Sequence, residues 1–200
     1  MAPRLRQVRR AEAAPSVLPY YDFAFGDRDP VDQPGTTWGT VGTWWTVLAL
    51  VPEILDQTRA SFGALYSDPA FRLDPKLREL AVTRAGWASE SQFVFSPHRK
   101  IGRDRGVTEE QMRAIPSWST ADCFSPVECA VLAYTDALVL SGGRVSDATF
   151  AALQVELSDE EILELTYTVS LYKLQAIMSK ALRLESDDRD DWIMELGQDA

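Results

Sequence analysis

The stretch LDPKLRELAV (residues 73–82), followed after eight further residues by SQFVFSPHRK (residues 91–100), decides the fold. Asp74 and Pro75 form an N-cap followed by proline at the first helical position, which is a typical helix start. No further proline follows as far as Ala88. The first stretch therefore predicts a helix that begins at Pro75 and ends near Ala88.

Similar signals predict further helices on both sides of this one. Pro52 suits the first position of a helix over residues 53–65. Capping boxes are formed by Thr108 with Gln111 and by Ser158 with Glu161, while Ser125 and Pro126 open a helix that stops at Gly142 and Gly143. Strand signals are almost absent, so the predicted fold class is all-α.

The composition and the positions of proline and glycine suggest one domain with two arms. The chain has 200 residues, 46% of them hydrophobic, which is enough for a packed core. Residues 15–43 mix proline, glycine, aspartate and aromatic residues without clear periodicity, and residues 1–43 are predicted to form an irregular N-terminal arm. Residues 44–184 predict the helical domain, and residues 185–200 predict an acidic tail with a short helix. Four arginines near the N-terminus predict a solvated, frayed end: Arg4, Arg6, Arg9 and Arg10.

The charge and the cysteine content restrict the partners. A net charge of -10 repels phosphate backbones and anionic lipid, so we expect no nucleic acid and no membrane partner. No apolar run approaches the roughly 20 residues that a bilayer span requires. Two cysteines, Cys123 and Cys129, are too few for a secreted disulfide scaffold and favour a reducing cytoplasm. The sequence therefore predicts a soluble cytoplasmic protein.

The last long helix, residues 159–184, has apolar residues around nearly its whole circumference. Such a helix must be buried all round. It is either the central helix of the domain or a helix with its second face in a subunit interface, and we favour the interface. This pattern predicts a homo-oligomer.

The chain has one histidine, His98, nineteen residues after Glu79. Imidazole has the unperturbed pKa closest to neutrality, so one histidine with a carboxylate partner suffices for proton transfer. Periodicity alone places Glu79 on a solvated face, beside Lys76 and Thr83. Pro97 either starts a new helical turn or kinks the helix, and both would re-aim the imidazole.

Three stretches together resemble the carboxymuconolactone decarboxylase and alkylhydroperoxidase D superfamily: residues 73–82, residues 91–98, and RDRGVTEEQMRAI at residues 103–115. The resemblance continues through Phe124–Pro126 and residues 165–174. It implies an all-α, AhpD-like helical bundle that assembles as a trimer or hexamer. It also implies a site between helices, often near a subunit boundary.

The peroxidase branch of this superfamily carries C-x-x-C-x-x-x-H after a glutamate. In this chain the glutamate position falls on Glu79 and the histidine on His98, but the cysteine positions fall on Ser91 and Val94. Neither residue can act as a redox thiol. The resemblance therefore favours the decarboxylase side of the family, which needs no thiol, no metal and no cofactor.

In that interpretation His98 is the general acid/base and Glu79 orients it or relays its proton. Ser91 would hydrogen-bond the substrate, or would be only a residue of the helix's first turn. Trp44, Trp45, Trp87 and Phe93 are candidate apolar walls, and the two tryptophans at 44 and 45 are alternatively core residues. Arg84 either binds a substrate carboxylate or pairs with an internal acid.

Three functions remain open at this point. The first is a cofactor-independent acid/base enzyme of decarboxylase, lyase or isomerase type, acting on a small organic acid, lactone or carbonyl compound. The second is an alkylhydroperoxidase-like or peroxiredoxin-like antioxidant protein. The third is a catalytically silent module for small-molecule binding or assembly, which Val94 favours because many relatives carry a glutamate there.

Overall fold

A computed structural model describes residues 2–67 and 70–184 of the chain. Its described residues form α-helices and two short 3-10 segments, Arg10–Glu12 and Ile115–Thr120, with no strand among them. The helices are α1 (Leu18–Phe25), α2 (Thr43–Leu48), α3 (Pro52–Ser67), α4 (Pro75–Ala88), α5 (Gln92–Asp104), α6 (Glu109–Ala114), α7 (Pro126–Leu140), α8 (Asp147–Gln154) and α9 (Asp159–Leu182). The all-α prediction is confirmed.

The helix starts follow from the capping residues. The Asp74 side chain accepts hydrogen bonds from the backbone N–H groups of Lys76 at 2.8 Å and Leu77 at 3.1 Å. The capping boxes at Thr108 and Ser158 are both formed. These local bonds satisfy donors that a helix N-terminus otherwise leaves without partners.

The described chain divides into two compact units. One contains residues 2–67 and 178–184, and the other contains residues 70–177. This division differs from the predicted boundary at residues 43 and 44, because α2 and α3 belong to the same unit as the N-terminal segment. The predicted acidic tail, residues 185–200, lies outside the described residues.

The N-terminal segment is neither irregular throughout nor frayed. It contains helix α1, and Arg10 donates to Asp22 at 2.7 Å and to the carbonyl of Arg28 at 2.9 Å. Arg4 donates through its backbone N–H and its side chain to the last carbonyls of α9. The segment is ordered rather than frayed, because Arg4 and Arg10 donate to backbone carbonyls, whereas the side chains of Arg6 and Arg9 are solvated as predicted.

Aromatic rings form a cluster in this first unit. Trp45 is buried and lies 5.1 Å from the ring of Trp44 and 5.9 Å from that of Trp38, while Arg59 lies over the Trp45 ring at 5.1 Å. The core interpretation of the two adjacent tryptophans is therefore the one that the contacts support.

Helix α4 is the centre of the second unit. Every residue from Leu77 to Gly86 is buried, and α4 packs against α5, α7 and the 3-10 segment Ile115–Thr120. At Gly86 an added Cβ would lie 2.7 Å from the backbone nitrogen of Phe95. The glycine thus permits a close backbone contact between α4 and α5.

Helix α9 is not buried all round within the described chain. One face contributes Leu165 and Val169 to the core, whereas four large apolar residues on the other side are exposed: Leu163, Tyr167, Leu174 and Ile177. The alternative of a central α9 is wrong, since α4 has that place.

No helix among the described residues is long and apolar enough to cross a bilayer.

Candidate functional site

The structure brings Glu79 and His98 together in the second unit. Glu79 lies on α4 and His98 on α5, and the imidazole Nδ1 is 2.8 Å from the carboxylate Oε2. Glu79 is fully buried, whereas 7% of the His98 side chain is exposed. A molecule arriving from solvent therefore meets the imidazole before the carboxylate.

Two further residues contact this pair, and sequence reasoning missed both. The Arg78 guanidinium donates through Nε to the other carboxylate oxygen of Glu79 at 3.1 Å. The ring of Tyr172, on α9, meets the His98 ring edge-on with 4.6 Å between centroids. Arg78 adjoins Glu79 in the sequence, but nothing in the sequence shows that the two side chains are buried together.

The contacts of Glu79 lower its pKa. Burial by itself raises the pKa of this carboxyl, but the opposing attraction and hydrogen bonds of His98 and Arg78 outweigh it. Glu79 is therefore an anion at neutral pH, placed between two cationic or potentially cationic groups. This is the state in which it can hold Nδ1 protonated and fix the orientation of the ring.

A lowered pKa in the folded state makes stability depend on pH. The unfolded chain binds a proton at Glu79 near pH 4.3, and the folded chain binds it only at lower pH. Stability from this group is thus present above that pH and is lost as the pH falls through the folded pKa. We expect Glu79→Gln to remove part of this acid dependence, at most about 1.4 kcal/mol per pH unit.

Urea unfolding between about pH 3 and pH 7 measures this effect. The matched control is Glu12→Gln, because the Glu12 side chain is 53% exposed and pairs only with an exposed arginine. An unchanged pH slope in Glu79→Gln would show that the carboxylate is not an anion in the folded protein.

Ser91 lies at the start of α5, two turns before His98, so the two side chains share one face of this helix. Ser91 occupies the N-cap, but its side chain makes no capping bond. Its hydroxyl is buried and has no hydrogen-bond partner among the described residues. Ser91 is therefore not simply a capping residue, and its hydroxyl is available to a ligand.

Val94 and the aromatic candidates lie around the same helix. Val94 is buried one turn before His98 and presents only an apolar side chain. Trp87 and Phe93 are half-buried, and the Trp87 ring lies 5.8 Å from that of Phe95. Trp45, the remaining predicted wall residue, belongs to the first unit and lies in the aromatic cluster described above.

Arg84 is occupied by internal partners. Its Nε and Nη2 donate to the two carboxylate oxygens of Asp136 at 2.6 and 3.0 Å, and its Nη1 donates to the carbonyls of Ile115 and Pro116. Trp118 donates to the same carboxylate at 2.9 Å. The structure thus favours the pairing of Arg84 with an internal acid, because these bonds engage all three guanidinium nitrogens.

Residues 52–137 match the model of the carboxymuconolactone decarboxylase family, and this segment contains Glu79, Ser91 and His98. Over this segment the chain resembles the carboxymuconolactone decarboxylase family. No curated protein matches it.

Solved structures with the AhpD-like fold resemble the chain over most of its length. A peroxidase-related alkylhydroperoxidase AhpD core protein from Ralstonia eutropha is 18% identical, with a TM-score of 0.70 and 93% of each chain covered. The debrominase Bmp8, in a cysteine variant bound to 2,3,4-tribromopyrrole, is 17% identical, with a TM-score of 0.71 and 94% of each chain covered. At these identities the likeness shows the fold alone.

The two cysteines of this chain differ from reactive thiols. Burial is the main cause that raises the pKa of Cys123, and nearby acidic residues add to it; burial and Glu128 raise the pKa of Cys129. A reactive cysteine needs a lowered pKa, because the thiolate is the nucleophile.

Among the described residues, no group of three or more histidine, cysteine and acidic side chains is arranged to hold a metal ion.

Proposed function

We propose that this chain is a cofactor-independent acid/base enzyme that moves a proton at a carbon next to a carbonyl group of a small organic acid, lactone or related compound. The observation that carries the proposal is the buried bond of 2.8 Å between Glu79 and His98. A single histidine held by an anionic carboxylate is a sufficient proton donor and acceptor near neutral pH.

The geometry assigns different roles to the two residues. Because Nδ1 of His98 faces Glu79, proton exchange with a substrate takes place at Nε2. Glu79 holds the ring in one tautomer and stabilises the imidazolium, as a buried carboxylate does behind a catalytic histidine. Arg78 in turn fixes the carboxylate through its second oxygen. His98 is thus the catalytic residue, and Glu79 and Arg78 position it.

The surrounding residues suit a small substrate. Ser91 offers a buried hydroxyl on the His98 face of α5, and Trp87 and Phe93 offer half-buried apolar rings near the same helix. In the debrominase with the same fold, a small brominated ring compound is bound even when a cysteine is replaced. This supports a ligand site in the fold that does not depend on a thiol.

The test uses the fact that the chain has one histidine. We expect the NMR signals of the imidazole nitrogens to change in Glu79→Gln, because Nδ1 loses its carboxylate partner. We then expect wild-type protein to exchange the α-hydrogens of a panel of keto acids and lactones with solvent deuterium. His98→Gln should slow this exchange by at least about 100-fold.

The controls separate this function from its alternatives. The double variant Cys123→Ser and Cys129→Ser should keep the exchange rate, whereas an antioxidant protein working through these thiols would lose peroxide reduction. Wild-type protein that binds members of the panel without exchanging their hydrogens would favour the silent binding module. An exchange rate that is equal in His98→Gln and wild type would refute the acid/base proposal.

We also propose that the exposed face of α9 joins copies of this chain. Leu163, Tyr167, Leu174 and Ile177 follow the alternating four-and-three spacing of a helix-pairing stripe, with Ser170 at the remaining position. Leu174→Glu should lower the molar mass measured by light scattering to that of a smaller assembly. Val155→Glu, at an exposed apolar residue outside the stripe, should leave it unchanged. A wild-type monomer would contradict this proposal.

A further inference from the structure

Two buried hydroxyl groups in the second unit are not used by the fold. Thr83 on α4 and Thr168 on α9 are both fully buried, and neither hydroxyl has a hydrogen-bond partner among the described residues. A buried polar group without a partner destabilises a protein, and most such groups are paired. These two threonines therefore require an explanation outside the packing of the fold.

Other helical threonines of this chain show the ordinary alternative. Thr58, Thr135 and Thr166 each donate to the carbonyl four residues earlier, at distances of 2.7 to 2.8 Å. The same local bond would satisfy Thr83 and Thr168, since both lie inside helices. Their hydroxyls are instead left available in the interior.

Two close contacts between α4 and α5 show which residues of the two helices lie opposite each other. An added Cβ at Gly86 would meet the backbone of Phe95, and an added Cβ at Gly102 would lie 3.6 Å from the Cβ of Glu79. Gly86 thus neighbours Phe95, whereas Glu79, seven residues earlier on α4, neighbours Gly102, seven residues later on α5. The two helices are therefore antiparallel in a defined register.

That register puts Thr83 level with His98. Thr83 also lies one turn after Glu79, on the same face of α4. Thr168 lies one turn before Tyr172 on α9, and the Tyr172 ring contacts His98 at 4.6 Å. Both unused hydroxyls thus lie on the helix faces that carry the groups around the imidazole.

We infer that Thr83 and Thr168 form an oxygen-binding subsite beside His98, which takes the carbonyl oxygen of the substrate. This inference rests on the proposed function and names the part of the substrate that the site recognises. When the carbon next to the carbonyl gives a proton to Nε2 of His98 or releases carbon dioxide, its bonding electron pair forms a carbon–carbon double bond and the carbonyl π pair moves onto oxygen. In the following step the carbonyl re-forms and the pair returns to carbon, which takes a proton from His98.

Hydroxyl donors suit that oxygen for a physical reason. Negative charge develops on it as the enolate forms, and fixed donors in a buried site stabilise such charge more strongly than water does. The subsite therefore selects small ketones, keto acids and lactones that have a hydrogen or a carboxylate on the carbon next to the carbonyl. Ser91, at the other end of the same α5 face, would bind a second polar group of such a substrate.

The experiment measures binding of para-nitrophenolate, an enolate-like anion whose absorbance reports its environment, to the full-length protein. Thr83→Val and Thr168→Val replace each hydroxyl with a methyl group of the same shape. We expect each to weaken phenolate binding by about tenfold or more, since each removes a hydrogen bond to a charged oxygen. Their melting temperatures should be equal to or higher than that of wild type, because the hydroxyl removed has no partner in the free protein.

Thr135→Val is the matched control, at a fully buried helical threonine whose hydroxyl is already bonded. It should lower the melting temperature and leave phenolate binding unchanged. Thr83→Ser keeps the hydroxyl and should keep wild-type binding, which separates loss of the donor from a change of packing.

Three results would overturn the inference. They are no phenolate binding by wild type, wild-type affinity in both valine variants, or equal loss of binding in the Thr135 control. Stabilised valine variants with unchanged affinity would show that the two hydroxyls hold only internal water. Failure of the proposed function is a separate result, since it appears as unchanged hydrogen exchange in His98→Gln.

Discussion

Replacing Arg84 with methionine should lower the free energy of unfolding by about 3 kcal/mol, with a fall of roughly 10 °C in the melting temperature. The variant keeps most of the apolar stem but leaves the Asp136 carboxylate without its bidentate partner in a largely buried place. It also removes the donors to the carbonyls of Ile115 and Pro116. Breaking a buried charge pair costs much more than the pair adds to stability, because the remaining charge stays buried.

The comparison for this variant is Arg6→Met, at an exposed pair with Glu12 in which the arginine side chain is 69% exposed. Exposed ion pairs contribute at most about 1 kcal/mol, so this change should be nearly neutral. Chemical unfolding of both variants gives the two free energies. If Arg84→Met were as stable as wild type, the guanidinium would not be structural, and a role in binding substrate would have to be reconsidered.

Much of the fold could be predicted because helix starts are local. Asp74 caps its own helix through residues two and three positions ahead, and the boxes at Thr108 and Ser158 work within four residues. Such signals do not depend on distant neighbours. They indicated the all-α class and the positions of most helices before any packing was known.

The relative burial of α4 and α9 could not be predicted in this way. Hydrophobic periodicity favours the apolar α9 as the buried helix, yet α4 is the central one although it carries Arg78, Glu79 and Arg84. Periodicity treats each charge as solvated, whereas paired charges can be buried. Glu79 pairs with a residue 19 positions away on α5, and Arg84 pairs with one 52 positions away on α7.

The candidate site could also be predicted only in part. The resemblance to a family identified Glu79, Ser91 and His98 as candidates, and the structure brings Glu79 into contact with His98. The unused hydroxyls of Thr83 and Thr168 could not be found in the sequence. A threonine in a helix ordinarily bonds to its own backbone, and only the neighbours show whether it does.

The close contact of α4 and α5 leads to the second large effect, in Gly86→Ala. The added Cβ would lie 2.7 Å from the backbone nitrogen and 2.8 Å from the Cα of Phe95. Backbone atoms cannot turn aside as a flexible side chain can, so the two helices must separate. We expect a loss of about 3 kcal/mol in the free energy of unfolding, at the upper end of the usual cost of overpacking.

Gly63→Ala is the matched control, because Gly63 also lies in a helix but an added Cβ there meets no atom within 4 Å. It should stabilise the protein by about 0.5 to 1 kcal/mol through the helix propensity of alanine. Separation of α4 from α5 would also lengthen the bond between Glu79 and His98. The NMR signals of the imidazole nitrogens in folded Gly86→Ala should therefore move toward those of Glu79→Gln. If Gly86→Ala were fully stable with wild-type imidazole signals, the two helices would not be as close as the structure shows. The helix register that places Thr83 level with His98 would then be wrong as well.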